Sequence, residues 1–247
     1  AGVTGVNFPV FLCPSNSGEV PISACDNVGR NNYHIMYGDV VTNGDVNTNT
    51  STFADVSHCP RGFFGLHYSF KGFEAISDGL SNTIAFSERV GLESERALYS
   101  YTMPKKGTVY ITSGWGFASN VTRLQCINAS KDTSATAAGN SPGLQWTSGD
   151  TSVSGLSTVL PPNMASCAGD NWGNNLTLNT PSSSHSGGVN GCYGDGSVHF
   201  ISETVNAITA GYDDSANILH HPATDGVSHW GVWGALGSAN GSESGTP

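Results

Sequence analysis

Residues 184–201 read SHSGGVNGCYGDGSVHFI and contain the clearest structural pattern in the chain. Residues with high strand propensity stand on both sides of Asp195-Gly196, a dipeptide that favours a tight type I′ turn with positive φ at both central positions. We therefore predict a β-hairpin centred on Asp195-Gly196. After it, Ser202 is expected to cap a short helix that carries Val205 and Ile208.

Further strands are predicted upstream of this hairpin. Short runs rich in apolar, aromatic or β-branched residues lie at 8–12, 83–88 and 108–115. The stretch 42–52 is almost wholly polar and is predicted to be an exposed loop. Residues 128–162 are rich in Ser, Thr, Ala and Gly, which predicts a loop-rich insertion that Trp146, Leu156 and Leu160 pin to the body; a surface excursion is the alternative.

The length suits one large domain or two small ones, of which a single domain over 1–247 is predicted, and the composition favours an extracellular β-rich protein. Charged residues are only 11% of the 247, well below the usual quarter, and the formal net charge is −10. Only Lys105 and Lys106 among the nine basic residues are adjacent, so we predict that nucleic acid is not a partner. The sequence has no run of 18 apolar residues.

Six cysteines are present in an even number and at wide spacing, without a C-x-x-C pair. This pattern favours three disulfides and an oxidising compartment over a zinc ribbon, with buried free thiols as the alternative, and the sequence does not choose among the possible connectivities. The local pair Cys13–Cys25 is the preferred bridge, since Pro and Gly residues between them favour a compact loop. The six are Cys13, Cys25, Cys59, Cys126, Cys167 and Cys192.

Nine residues separate His185 from Asp195-Gly196, and this spacing resembles the signature of a bacterial family of prepilin-like proteins, abundant in planctomycetes, named for its His-(nine residues)-Asp-Gly domain. Other matches to the family occur in its order. They are Leu12-Cys13-Pro14-Ser15-Asn16; Asn32-Tyr33 with Gly38; Asp78-Gly79-Leu80-Ser81-Asn82-Thr83-Ile84 with Glu88; and Trp233-Gly234-Ala235-Leu236-Gly237-Ser238 with Asn240, Gly241 and Glu243.

The resemblance implies an α+β, mostly β fold: a pilin-like antiparallel sheet with long loops and short helices, related to type IV pilins and type II secretion pseudopilins. The family's N-terminal pilin helix is absent from this sequence, so a membrane link is expected only through that missing helix. The motif residues that the resemblance singles out are His185, Gly187, Gly188, Asn190, Asp195, Gly196, Asp78, Gly79, Ser81, Asn82 and Thr83.

His185 and Asp195 are the most tempting catalytic pair, as base and orienter. A structural role is the better interpretation, since Asp195 stands where an Asp-Gly turn needs it. The sequence has no nucleophile elbow, zincin, Walker or dinucleotide motif. We therefore predict no catalytic residues and no enzyme.

Two kinds of ligand remain open. Asp45, Asn47 and Asn49 alternate like the first ligands of an EF-hand, but Thr50 and Val56 stand where the loop needs Gly and Glu, so only an irregular calcium loop is conceivable; no other cofactor is expected. A glycan platform is the other reading, with the weak candidates Trp115, Trp146 and Trp172.

These observations together predict a non-enzymatic, extracytoplasmic, pilin-like structural or interaction protein at the cell surface, in the periplasm or outside the cell. Its expected partners are other protein subunits, in a filament, pseudopilus or surface assembly. The alternative is an extracellular glycan- or solute-binding module.

Overall fold

A computed structural model describes ten parts of the chain, which contain eight strands and three helices. The described residues are 5–16, 29–40, 60–65, 72–90, 108–110, 123–131, 146–147, 151–168, 177–208 and 226–242. The strands are β1 (Tyr33–Gly38), β2 (Ile84–Glu88), β3 (Thr108–Tyr110), β4 (Gly155–Ser157), β5 (Ser166–Ala168), β6 (Thr177–Leu178), β7 (Gly188–Tyr193) and β8 (Val198–Ser202). The helices are α1 (Arg123–Lys131), α2 (Thr151–Ser154) and α3 (Gly231–Gly237), with 3₁₀ turns at Pro9–Phe11 and Phe73–Ala75.

The main sheet has five strands in the order β4-β1-β2-β7-β8, and a second sheet has the order β3-β5-β6. Together with few and short helices, these sheets confirm the predicted mostly-β α+β class. The expected antiparallel sheet is corrected in one respect, because β4 pairs parallel to β1. Parallel neighbours need a long crossover rather than a hairpin, and more than a hundred residues separate these two strands.

The predicted hairpin is confirmed as β7–β8, whereas the turn type was wrong. Tyr193 N donates to Ser197 O at 2.8 Å and Gly196 N to Tyr193 O at 2.9 Å. Of the two residues Asp195 and Gly196, only Gly196 has a positive φ, 86°. Asp195 is not among the non-glycine residues with positive φ in the described chain, which are Asn163 and Ser242. The loop is thus a turn followed by a left-handed glycine, and Asp195 avoids the costly conformation that a type I′ turn requires.

Two local predictions, a strand at 8–12 and a helix after Ser202, were wrong. Pro9–Phe11 forms a 3₁₀ turn instead of a strand, with Pro9 at its start and Phe11 N donating to Phe8 O at 2.9 Å. Proline fixes the φ angle that the first turn of a helix needs. Ser202 caps a single turn and no helix, since its Oγ accepts from Thr204 N at 3.1 Å and its carbonyl from Val205 N at 3.1 Å.

The hydrophobic core lies between the main sheet and α3. Its members from the sheet include Met36, Ile84, Leu156 and Val189, and α3 contributes Trp233 and Leu236. Leu156 of β4 shows that part of 128–162 belongs to the core. Residues 132–145 lie outside the described part of the chain.

Asp78 holds the end of the described chain against the start of β2. Its carboxylate accepts hydrogen bonds from Gly241 N at 2.6 Å and Ser242 N at 3.0 Å. Nearby, the Thr83 hydroxyl donates to Ser238 O at 3.3 Å. The Asp-Gly-x-Ser-Asn-Thr element and the C-terminal element of the sequence are therefore two halves of one hydrogen-bonded unit.

Gly38 ends β1 at a crossing with the segment that contains Gly62. Its φ is 107°, and a Cβ added there would lie 2.4 Å from Gly62 N. Because both the backbone angle and the close approach exclude a side chain, glycine is required at this position.

Cys126 of α1 and Cys167 of β5 form a disulfide, with Cα atoms 5.7 Å apart, within the usual range. Cys13 and Cys192 are free thiols. The expected Cys13–Cys25 bridge is thus not formed in the structure; Cys25 and Cys59 lie outside the described residues. None of the described helices combines the length and the apolar character needed to cross a membrane.

Burial lowers the pKa of His34 on β1 to about 4, against an ordinary value of 6.5, while its Nε2 donates to Asn31 O at 3.1 Å. The unfolded chain therefore takes up a proton at His34 at higher pH than the folded chain. We expect the free energy of unfolding to fall as the pH drops from about 6.5 to 4, by up to about 1.4 kcal/mol per pH unit from this residue.

Urea unfolding at pH 7 and pH 5 checks this expectation. His34→Gln should reduce the difference between the two pH values, whereas His199→Gln, at an exposed position, should leave it unchanged. An unaltered difference in the His34 variant would contradict the assignment.

Candidate functional site

The structure does not bring His185 and Asp195 together. The two residues flank β7 and therefore lie at opposite ends of that strand. Asp195 accepts hydrogen bonds from Ser197 N at 2.9 Å and Ser197 Oγ at 2.7 Å, and these bonds lower the pKa of its carboxyl. Asp195 thus completes the hairpin turn through its bonds to Ser197.

His185 contacts a different carboxylate. Its Nε2 lies 3.2 Å from Glu88 Oε1, and the two side chains are 30% and 7% exposed. Asn190 holds Glu88 from the neighbouring strand: Asn190 N donates to Oε2 at 2.9 Å and Asn190 Nδ2 to Oε1 at 3.1 Å. The carboxylate at the end of β2 is therefore fixed in position and faces the imidazole.

Cys13 completes a group of three chemically reactive side chains. Its Sγ lies 3.9 Å from His185 Nε2, and one ligand atom from each of Cys13, Glu88 and His185 falls within 4.8 Å of the others. We name these three residues the Cys–Glu–His cluster. It joins three of the sequence motifs, which are 75 and 97 residues apart, counted as 88−13 and 185−88.

Hydrogen bonds from the backbone hold each member of the Cys–Glu–His cluster in place. Cys13 N donates to Asn32 Oδ1 at 2.8 Å, and Asn32 Nδ2 donates to Arg89 O at 3.0 Å, so one buried asparagine ties Cys13 to the end of β2. His185 N donates to Ser183 Oγ at 3.0 Å, and that hydroxyl donates to Gly188 O at 2.7 Å. The backbone of His185 is thereby linked through Ser183 to Gly188, the first residue of β7.

A small pocket opens beside the cluster. Cys13, Asn32, Glu88 and Ser183 are among the residues that line it. Tyr33, a partly exposed residue at the start of β1, lies close enough to be affected by the cluster. Burial is the largest cause that raises the pKa of the Tyr33 hydroxyl, followed by the proximity of Cys13 and then of Glu88.

The arrangement is one of converging ligand atoms rather than a proton relay. In a catalytic triad one imidazole nitrogen faces the nucleophile and the other faces the carboxylate. Here the same nitrogen, Nε2 of His185, faces both the Cys13 sulfur and the Glu88 oxygen. Sulfur, nitrogen and oxygen atoms that point to one place suit a shared cation better than proton transfer along a line.

The other motif residues have packing and turn roles. Gly187 has a φ of 81°, and a Cβ on Gly188 would lie 2.1 Å from Ile201 O across the hairpin. Asn82 Nδ2 donates to Asp78 O at 2.9 Å, and Gly79 has a φ of 96°. Ser81 is exposed in the same turn.

Trp146 is used for internal packing. Its ring lies 5.3 Å from Phe8 and 5.9 Å from Phe11, and its Nε1 donates to Val6 O at 3.0 Å. The remaining glycan candidates, Trp115 and Trp172, lie outside the described residues. So do the calcium candidates Asp45, Asn47 and Asn49.

One face of the main sheet carries apolar side chains that the described residues leave partly uncovered. The register pairs Ile35 with Phe86, Phe86 with Cys192 and Cys192 with Val198, so their side chains share a face. Phe200 lies two positions after Val198 and faces the same way. We name this surface the open face: Ile35, Phe86, Cys192, Val198 and Phe200.

The open face is most exposed on β8. Val198 is 62% exposed and Phe200 54%, whereas Phe86 is partly covered by Phe64, with ring centroids 5.1 Å apart. β8 is also the last strand of the sheet among the described residues. An apolar surface therefore coincides with a sheet edge. Sequence reasoning missed both features, although the alternation Val198-His199-Phe200-Ile201 places Val198 and Phe200 on one face of the strand and Ile201 on the other.

Comparison with known proteins matches residues 2–207 to the profile of a family described as "Protein of unknown function (DUF1559)". No curated protein and no solved structure matches the chain.

Proposed function

This chain belongs to the DUF1559 family, and from that premise we propose that it is a non-enzymatic, extracytoplasmic, pilin-like structural protein that works as a subunit of a filament, pseudopilus or cell-surface assembly. The observation that carries the proposal is the open face on the edge strand β8. The occupant that we propose for this face is a second copy of the chain.

The exposure of Val198 and Phe200 supports a protein contact. Soluble monomers rarely leave contiguous apolar side chains on an accessible strand, because such patches bind other surfaces. Edge strands also present unpaired backbone N–H and C=O groups, and monomers commonly protect them with charged residues or proline. No charged residue or proline occurs within β8 itself, Val198–Ser202.

The low charge of the chain fits a surface assembly in which neighbouring subunits pack closely. Only 11% of residues are charged, although the net charge of −10 makes copies repel one another. At 0.1 M salt, exposed charges more than about 10 Å apart are largely screened from one another. Self-association through an apolar face should therefore strengthen as the salt concentration rises, the reverse of association through ion pairs.

Sedimentation velocity over a range of protein and salt concentrations tests the proposal. We expect wild-type protein to form dimers or larger species whose fraction rises with salt, and the double variant Val198→Thr/Phe200→Thr to sediment as a monomer. Threonine is β-branched and has a high strand propensity, so the fold should persist.

Val10→Thr is the matched control, since Val10 is exposed but lies outside the sheet, and it should associate like wild type. A wild-type chain that stays monomeric at all concentrations, or a double variant that assembles normally, would contradict the proposed use of the open face.

A further inference from the structure

We propose that the Cys–Glu–His cluster is a zinc site in which Cys13 Sγ, His185 Nε2 and a Glu88 carboxylate oxygen occupy three positions of a tetrahedral Zn²⁺ ion, with water in the fourth. The cluster lies on the same face of the main sheet as the open face, since Asn190, which holds Glu88, pairs with Phe200. It uses other side chains and a different measurement, so this proposal and the assembly function can fail separately.

The geometry of the three atoms suits the ion. Bonds of about 2.3 Å to sulfur and 2.0–2.2 Å to nitrogen and oxygen place tetrahedral ligand atoms roughly 3.3–3.7 Å apart. The observed separations are 3.9 Å for sulfur to nitrogen and 3.2 Å for nitrogen to oxygen, and no pair exceeds 4.8 Å. The sulfur and oxygen atoms lie within 4.8 Å of each other, so a side-chain shift of at most about 1 Å brings this pair to the tetrahedral separation.

The ligand types select the metal. A thiolate and an imidazole favour Zn²⁺ over the hard cations Ca²⁺ and Mg²⁺, which prefer oxygen ligands alone. The charges also balance: one thiolate and one carboxylate neutralise the two positive charges of the ion. This matters because Cys13 and Glu88 are buried, and an unbalanced charge there would be costly.

The surrounding hydrogen bonds are those that a metal site requires. Ligands of bound metals are oriented by a second layer of hydrogen bonds, whose loss commonly reduces affinity 10- to 100-fold. Asn190 holds both oxygens of Glu88, and Asn32 holds the backbone of Cys13. The partly exposed imidazole of His185 leaves a side from which the ion and its water can enter.

Binding has a defined proton balance. Zn²⁺ binds a thiolate, a neutral imidazole nitrogen and a carboxylate oxygen, so a proton carried by any of these three ligand atoms leaves to solvent as the ion binds. Affinity should therefore decrease as the pH falls. The bound ion would connect the N-terminal turn, the end of β2 and the start of β7, and so would stabilise the folded chain.

Calorimetric titration of the full chain with Zn²⁺, after chelation and reduction, tests the proposal. We expect one tight site, at least about 100-fold weaker in Cys13→Ser and in His185→Gln, since losing a ligand should cost at least as much as losing a second-layer contact. Cys192→Ser and His199→Gln change a free thiol and an exposed imidazole elsewhere on the main sheet and should bind like wild type.

A second measurement uses the unaltered protein and so does not depend on the variants folding. Zn²⁺ should protect Cys13 from alkylation, read by peptide mass spectrometry, while Cys192 stays reactive. The zinc site would be overturned if the wild-type protein bound no ion, or if the Cys13 and His185 variants bound Zn²⁺ as tightly as wild type. Equal protection of Cys13 and Cys192, or a disulfide at Cys13 in unreduced protein, would also overturn it.

Discussion

Replacing Trp233 with alanine is expected to lower the free energy of unfolding by about 3–5 kcal/mol, the range for removing a buried large aromatic side chain. Trp233 is fully buried in the core and its Nε1 donates to Leu160 O at 2.8 Å. The substitution would therefore leave a large cavity between α3 and the main sheet, and it would also deprive a buried carbonyl of its partner.

Urea unfolding followed by circular dichroism measures this loss. Trp233→Phe helps to separate the two contributions, because it removes the hydrogen bond to Leu160 but keeps most of the apolar volume. Val232→Ala is the control in the same helix, since Val232 is partly exposed, and it should cost less than about 1 kcal/mol. A similar loss at both positions would mean that α3 does not dock on the sheet as described.

Removing the Cys126–Cys167 bridge by the double variant Cys126→Ser/Cys167→Ser is expected to cost about 2–4 kcal/mol. The bridge closes a loop with a sequence separation of 41 residues, and loop-closure entropy for that length corresponds to about 4 kcal/mol. Both cysteines are also buried, so serine hydroxyls in their places would add the cost of burying a polar group.

The comparison of interest is between this double variant and Cys192→Ser, which changes a cysteine that forms no bridge and should unfold close to wild type. The denaturant slope should rise in the double variant, because the unfolded chain without the bridge exposes more surface. Equal free energies of unfolding for the two proteins would show that the bridge contributes nothing to stability.

Local patterns predicted the elements whose structure depends on neighbouring residues. The hairpin at β7–β8 and the strand at β2 were found from strand propensity and an Asp-Gly turn. The turn type was missed because the Asp195 carboxylate bonds to Ser197 and only Gly196 takes a positive φ. The parallel pairing of β4 with β1 was missed because pairing between distant segments leaves no local trace.

The candidate site was only partly visible in the sequence. His185 was singled out with Asp195 as its tempting partner. The two are ten positions apart and do not meet, because strand β7 lies between them. Glu88 and Cys13 stood in separate motifs, and Cys13 was expected in a disulfide. The signal that could have united them was the presence of three reactive side chains in three different motifs of one family.

The open face was also only partly predictable from the sequence. The alternation of apolar and polar residues was readable, but the exposure of Val198 and Phe200 depends on which other segments cover β8. Burial is a property of the packed chain and not of the strand.

The sequence by itself determined the β-rich class, the hairpin and membership of the DUF1559 family, since each follows from composition or from patterns of residues along the chain. Only the tertiary structure decided the sheet order, the Cys126–Cys167 pairing and the meeting of Cys13, Glu88 and His185. These depend on contacts between segments tens of residues apart, and such contacts form only when the whole sheet closes around its core.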